Sequence, residues 1–149
     1  MARFIFAFIL CSCVTIVFSQ NKEMNLTPCA PDAVLKGFIK NYGDAKATWK
    51  VTDGNYEATF KLIGMPATAW YDSTGHRMKY VVEIKADQLP AIARSYIERN
   101  YPKAKIIKAL KWTDDKKVST FQSEIKLAAD SKSLLFTSRG DLIKELEKG

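Results

Sequence analysis

Gly37-Phe38-Ile39-Lys40-Asn41-Tyr42-Gly43-Asp44-Ala45-Lys46 is echoed by Ser95-Tyr96-Ile97-Glu98-Arg99-Asn100-Tyr101-Pro102-Lys103-Ala104-Lys105. Self-similarity at a fixed period is the first thing to settle about a fold, and here the period is about sixty residues. Each stretch reads as a helix ending in Asn-Tyr and a turn ending in Ala-Lys. A strand-like segment bearing Trp49 or Trp112 follows. Each half then closes on an aromatic-x-x-x-Gly turn, Tyr71-Asp72-Ser73-Thr74-Gly75 in the first and Phe136-Thr137-Ser138-Arg139-Gly140 in the second.

Working outward, the first helix opens near Pro31-Asp32, a proline and an acid suited to a first turn. Val34, Leu35, Phe38 and Ile39 form its apolar stripe, and Gly43 supplies a left-handed C-terminal cap. Trp49 and Val51 alternate with Thr48 and Lys50, and Tyr56, Ala58, Phe60 and Leu62 alternate with Glu57, Thr59 and Lys61. That is the period of half-buried strands, and Asp53-Gly54 between them is a strong hairpin signal. Residues 67–71 and 78–84 give a third and a fourth strand, with Met78, Tyr80, Val82 and Ile84 on one face and Arg77, Lys79 and Glu83 on the other. Asp87 is read as the cap of a second helix with Pro90 in its opening turn and an apolar stripe of Ile92, Ala93, Tyr96 and Ile97. Strands at 105–113, 118–127, 133–137 and 142–146 complete the chain.

These elements predict an α+β fold. Two helix-plus-four-strand repeats, about 31–85 and 87–147, form one twisted antiparallel sheet with both helices on one face. Residues 31–149 are a single domain, because no linker composition interrupts them, and 149 residues with 47% hydrophobic content can build one sizeable core.

The first nineteen residues stand apart. Arg3 precedes an apolar run from Phe4 to Phe18, and small or aliphatic residues at Val17 and Ser19 read as a secretory signal peptide cut between Ser19 and Gln20. The run is shorter than the roughly 20 apolar residues a membrane span needs. An alternative is a lipoprotein anchored through Cys13, since Leu10-Cys11-Ser12-Cys13 loosely follows a lipidation motif. Val14 to Phe18 prolong the apolar run past that cysteine, whereas a lipidated residue is followed by a polar tether. Residues 20–30 form a lead-in, and after cleavage Cys29 is the one remaining cysteine, so no intramolecular disulfide is predicted.

The net charge of +7 becomes +6 when Arg3 leaves with the signal, which holds no acid. Export argues against nucleic acid as the partner of that charge. A protein or an anionic envelope component suits it instead, through attraction and encounter rate. The chemistry of catalysis is absent: His76 is the one histidine, and a Ser73/His76 pair in a single turn lacks a third group to orient the ring. One histidine and one mature cysteine do not make a zinc site, Asp114, Asp115 and Asp130 lack calcium-loop spacing, and no glycine-rich phosphate loop occurs. No cofactor and no enzymatic activity are predicted.

The Asn-Tyr helix end, the Trp-bearing strand, Asn55-Tyr56-Glu57-Ala58-Thr59-Phe60, the Tyr71-Asp72-x-x-Gly75 turn and Leu89-Pro90 resemble the PepSY-like, beta-lactamase-inhibitor-like family of exported bacterial proteins. The resemblance spans roughly residues 31–146. It implies a fold similar to the beta-lactamase inhibitor protein, whose concave sheet face grips a target enzyme, and a periplasmic or secreted location. No inhibitory loop of that protein matches a motif here, so no residue role carries over.

The aromatics are the remaining site candidates. By parity Trp49 and Trp112 belong to the core, Trp112 sharing a face with Ile106 and Leu110. Tyr71 is expected inward beside Ala67 and Ala69, which sends Trp70 to the open face; a bulge would exchange the two. On that face Trp70 is expected among Lys61, Arg77 and Lys79 as a binding anchor. The predicted function is therefore an exported, non-enzymatic binding domain, an inhibitor or ligand-binding module acting through the open sheet face. The rival is an envelope structural component that self-associates, with an enzyme a distant third.

Overall fold

The computed structural model describes residues 30–128 and 130–147. The expectations for the signal segment, the Ser19/Gln20 cleavage, Cys13 and Cys29 lie outside the described residues.

Helix α1 spans Asp32–Tyr42, followed by strands β1 (Ala47–Thr52), β2 (Asn55–Leu62), β3 (Met65–Tyr71) and β4 (Arg77–Ile84). A 3-10 turn at Ala86–Gln88 leads to helix α2 (Ala91–Asn100). Strands β5 (Lys105–Asp114), β6 (Ser119–Lys126), β7 (Ser131–Phe136) and β8 (Leu142–Glu147) complete the order. Every strand pairs antiparallel with its sequence neighbour, so the eight run in order from β1 to β8 as one sheet.

The expected fold class needs correction. The structure is mostly one uninterrupted eight-stranded sheet with two α-helices among the described residues, and two repeated units with a shared helix placement do not describe it. β4 pairs with β5 through six residue pairs across the expected unit boundary, as β1 pairs with β2, so the sheet has no seam there. The first strands after the helices also differ: β1 has 6 residues in unbroken register, whereas β5 has 10 and a bulge. The 3-10 turn precedes α2 alone. The sequence echo specifies local caps and turns, while sheet hydrogen bonding couples each strand to whichever strand lies beside it.

Local chemistry accounts for the turns. Asp53 and Gly54 take φ of 51° and 75°, and Ile63 and Gly64 take 51° and 80°, so both two-residue hairpins have the paired positive φ of a type I′ turn. Asp87 is not the α2 cap. It lies within the 3-10 turn, and Pro90 occupies the cap position with ψ of 141°. Proline bars the preceding Leu89 from helical backbone and so splits the segment in two.

Two apolar clusters form the core. Val34 and Phe38 of α1 pack with Ala58, Phe60, Ala67, Ala69 and Tyr71, and Phe38 meets Phe60 edge-on at 5.1 Å. Ala93 and Ile97 of α2 pack with Ile125, Leu134 and Phe136. The helical stripes are narrower than predicted, because Ile39 and Ile92 are more than half exposed. Trp49 packs against the first cluster, as its parity requires. Turn glycines set the helix approach: a Cβ on Gly75 would overlap the Ala33 carbonyl, and one on Gly140 would crowd the Ala93 amide at 2.8 Å.

Candidate functional site

Trp70 stands on β3 with its side chain on the open face, directly paired with Glu57 of β2 and Lys79 of β4. Tyr71 is fully buried under α1, and burial holds its phenol well above the ordinary value. The bulge between Trp70 and Tyr71 falls on the β4 side and leaves Trp70 outward.

Trp112 does not join the core. It pairs with Val81 and Thr120, and its ring stacks on Trp70 with centroids 5.7 Å apart and planes at 18°. The reason is the bulge between Ile106 and Lys108: Ile106 pairs with Ile125, Lys108 pairs with Glu124, and Ile107 is left over. One extra residue reverses the parity of everything after it. Ile106 therefore joins the α2 cluster, while Leu110 and Trp112 turn to the other side.

The two indoles are fixed from both flanks. Trp70 Nε1 donates to Glu57 Oε2 at 3.0 Å, and Trp112 Nε1 donates to Gln122 Oε1 at 3.0 Å. Gln122 is itself held, its Nε2 donating to Ser133 Oγ at 2.8 Å. The Lys79 ammonium lies 4.9 Å from the Trp70 ring centroid and 5.9 Å from that of Trp112, within the range of a cation–π attraction. A shallow depression of about 160 Å³ adjoins this ridge, lined by Thr68, Val81, Glu83, Lys108 and Leu110 among others. The result is a half-buried aromatic ridge with an exposed cation over it and a polar surround, in which neither indole N–H seeks a partner.

Of the four predicted anchors, the structure brings Trp70 and Lys79 together. Lys61 is exposed on the same side, opposite Pro66, about 13 Å along β2 from the Trp70 pair at ~3.3 Å per residue. Arg77 is elsewhere. The same β3–β4 bulge pairs it with Tyr71, and its guanidinium donates to the Tyr42 hydroxyl at 3.0 Å and lies 4.5 Å from the Tyr80 ring centroid. Burial pushes the Tyr42 phenol up, and Arg77 opposes that push. Sequence reasoning missed Trp112, Glu57 and Gln122. The doublet Ile106-Ile107, which breaks apolar alternation, was the available signal for the bulge; the two polar partners depend on cross-strand register and left none.

The Ser73-His76 turn is organised by Asp72. Its Oδ1 accepts from the Thr74 hydroxyl at 2.6 Å and from the Thr74 and His76 amides at 2.9 and 3.1 Å, bonds that hold the carboxyl below its ordinary range. Among the described residues no group of three or more His, Cys, Asp or Glu could hold a metal ion, and no helix is long and apolar enough to cross a membrane.

The fold is similar to several solved structures from Bacteroides. A DUF2874 family protein from Bacteroides uniformis superposes with a TM-score of 0.73 at 20% identity, over 80% of this chain and 90% of that one. A protein from Bacteroides eggerthii described as periplasmic gives 0.73 at 16%, over 80% and 89%. A BLIP-like protein from Bacteroides fragilis gives 0.69 at 17%, over 81% and 89%. At these identities the likeness is one of fold, and the fold is BLIP-like. No protein-family model matches the chain, and no curated protein matches it in sequence.

Proposed function

We propose that this chain is an exported, non-enzymatic binding module, of the PepSY-like and beta-lactamase-inhibitor-like kind, that grips a protein partner with the Trp70–Trp112 ridge. The observation that carries the reading is the stacked indole pair pinned by Glu57 and Gln122. Rigid aromatics whose own polar atoms are already satisfied lose little entropy or hydrogen bonding on docking, which is what a binding hot spot needs. The signal-like residues 1–19 and a fold shared with a protein described as periplasmic support a periplasmic or secreted location. Cleavage before Gln20 leaves a mature chain without a stable membrane span; lipidation at Cys13 is the alternative, and the mass of the mature N-terminus distinguishes them.

Glu57, Lys79 and Gln122 surround the indoles with polar and charged groups of both signs. That favours a foreign protein surface over self-association, and over a purely anionic envelope component. The test is affinity capture from envelope extract by the mature chain, followed by calorimetry on the captured partner. Trp70→Ala and Trp112→Ala are each expected to weaken binding by about 30-fold, the ~2 kcal/mol of a hot-spot residue, with both variants folded. Undiminished binding by both variants refutes the reading, and concentration-dependent sedimentation of the wild type alone would favour the self-associating alternative.

A further inference from the structure

Away from the open face, a cleft of about 640 Å³ lies between α2, the 3-10 turn and the start of β5. Its floor is apolar, with Ile97 fully packed against the second core cluster and Ile106 beside it. Its walls carry Arg94 and Lys105 on one account of charge and Asp87 and Glu98 on the other.

Arg94 is the unusual member. Its Nε is buried and has no hydrogen-bond partner among the described residues. Lys132 pairs with Glu145 and Arg139 with Asp141, whereas neither Asp87 nor Glu98 closes on the Arg94 guanidinium. An Arg that precedes a Glu by four residues on a helix is also the less favourable order for pairing. The Nε–H is sealed from the cleft, so the terminal nitrogens of the guanidinium are what a ligand there would meet, and arginine has no neutral form to retreat to. A carboxylate offers the planar pair of acceptors that the guanidinium fork fits.

The cleft is not simply an anion site. Two bases and two acids line it, so a lone anion meets cancelling fields while a molecule carrying both charges meets a partner for each. The apolar floor suits a hydrocarbon side chain, and the volume lies within the range of small-ligand sites. We propose that the α2–β5 cleft binds a free amino acid or short peptide in zwitterionic form, its carboxylate on Arg94, its ammonium between Asp87 and Glu98, and an apolar side chain over Ile97 and Ile106. This site is separate from the indole ridge and does not depend on it.

The test is amide NMR of the mature chain titrated with alanyl-leucine. Saturable shifts are expected at Ile97, Tyr101 and Ile106 and not at the Trp70 and Trp112 indoles. Blocking the ligand's amine by acetylation, or its carboxylate by amidation, weakens binding by about tenfold or more, the loss of one charge-assisted contact. Arg94→Met abolishes the shifts, and Glu98→Gln weakens the free dipeptide while leaving the acetylated one unchanged. Because the blocked ligands act on the wild-type chain, the result stands even if a variant folds poorly. Absence of saturable shifts at millimolar ligand, equal binding of the blocked dipeptides, or equal binding of acetate overturns the proposal.

Discussion

Ile63 occupies the first central position of the β2–β3 turn with φ of 51° and 97% of its surface exposed. Left-handed backbone costs an L-residue about 1–2 kcal/mol, and a β-branched side chain is a poor occupant of that region. Asparagine relieves the strain and recreates the Asn-Gly pair preferred in type I′ turns. Nothing is lost in exchange, because a side chain already in water has almost no buried apolar area to give up. Ile63→Asn is therefore expected to stabilise the protein by about 1 kcal/mol. In a chain of this size that raises the melting temperature by about 4 °C and moves the urea midpoint upward at constant slope. Urea unfolding followed by circular dichroism reads it directly. An unchanged or lowered midpoint would refute the reasoning, showing either that the turn bears no strain or that Ile63 makes a stabilising contact.

Gly75→Ala places a methyl against the backbone carbonyl of Ala33 at a φ of 83°, so a loss of roughly 3 kcal/mol or more is expected in urea unfolding; a loss below ~1 kcal/mol would show that α1 yields easily. Stacked indoles couple electronically, so Trp70→Phe and Trp112→Phe are each expected to remove the same exciton band from the circular dichroism spectrum, while Trp49→Phe retains it. Retention in Trp112→Phe would return Trp112 to the core. The hydrogen bond to Glu145 pushes the Tyr101 phenol up to about 12 from an ordinary 10.0. The folded state thus holds that proton more tightly than the unfolded chain, and the small stability it adds is complete below pH 10 and lost as pH rises toward 12. Glu145→Gln should bring the phenol back toward 10 in a ring-carbon NMR titration; a midpoint unmoved from 12 contradicts the assignment.

Element order was largely legible because it rests on local chemistry. Asp53-Gly54 announced its hairpin, Gly43 ended α1, and alternation from Tyr56 to Leu62 marked β2. The site was only half legible. Parity placed Trp70 outward and Tyr71 inward, yet it put Trp112 inward and Arg77 beside Lys79, and both errors have one cause. A bulge adds one residue to one strand and reverses every side chain beyond it, and its location follows from pairing with a distant strand. Lys61 was on the predicted face but too far along β2 to reach Trp70. The sequence echo at Asn41-Tyr42 and Asn100-Tyr101 was likewise local: both asparagines donate to a carbonyl four residues earlier, which repeats a helix end without imposing two structural units on a continuous sheet.

The amino-acid sequence by itself determined the helices, the strands and the turns that separate them, because propensity, periodicity and glycine at positive φ act within a few residues. Tertiary structure alone decided that Trp112 crosses the sheet to stack on Trp70, that Glu57 and Gln122 fix the pair, and that Arg94 lines a cleft without a partner among the described residues. Those facts are set by register and by packing between residues far apart in the chain, where one inserted residue outweighs every local preference.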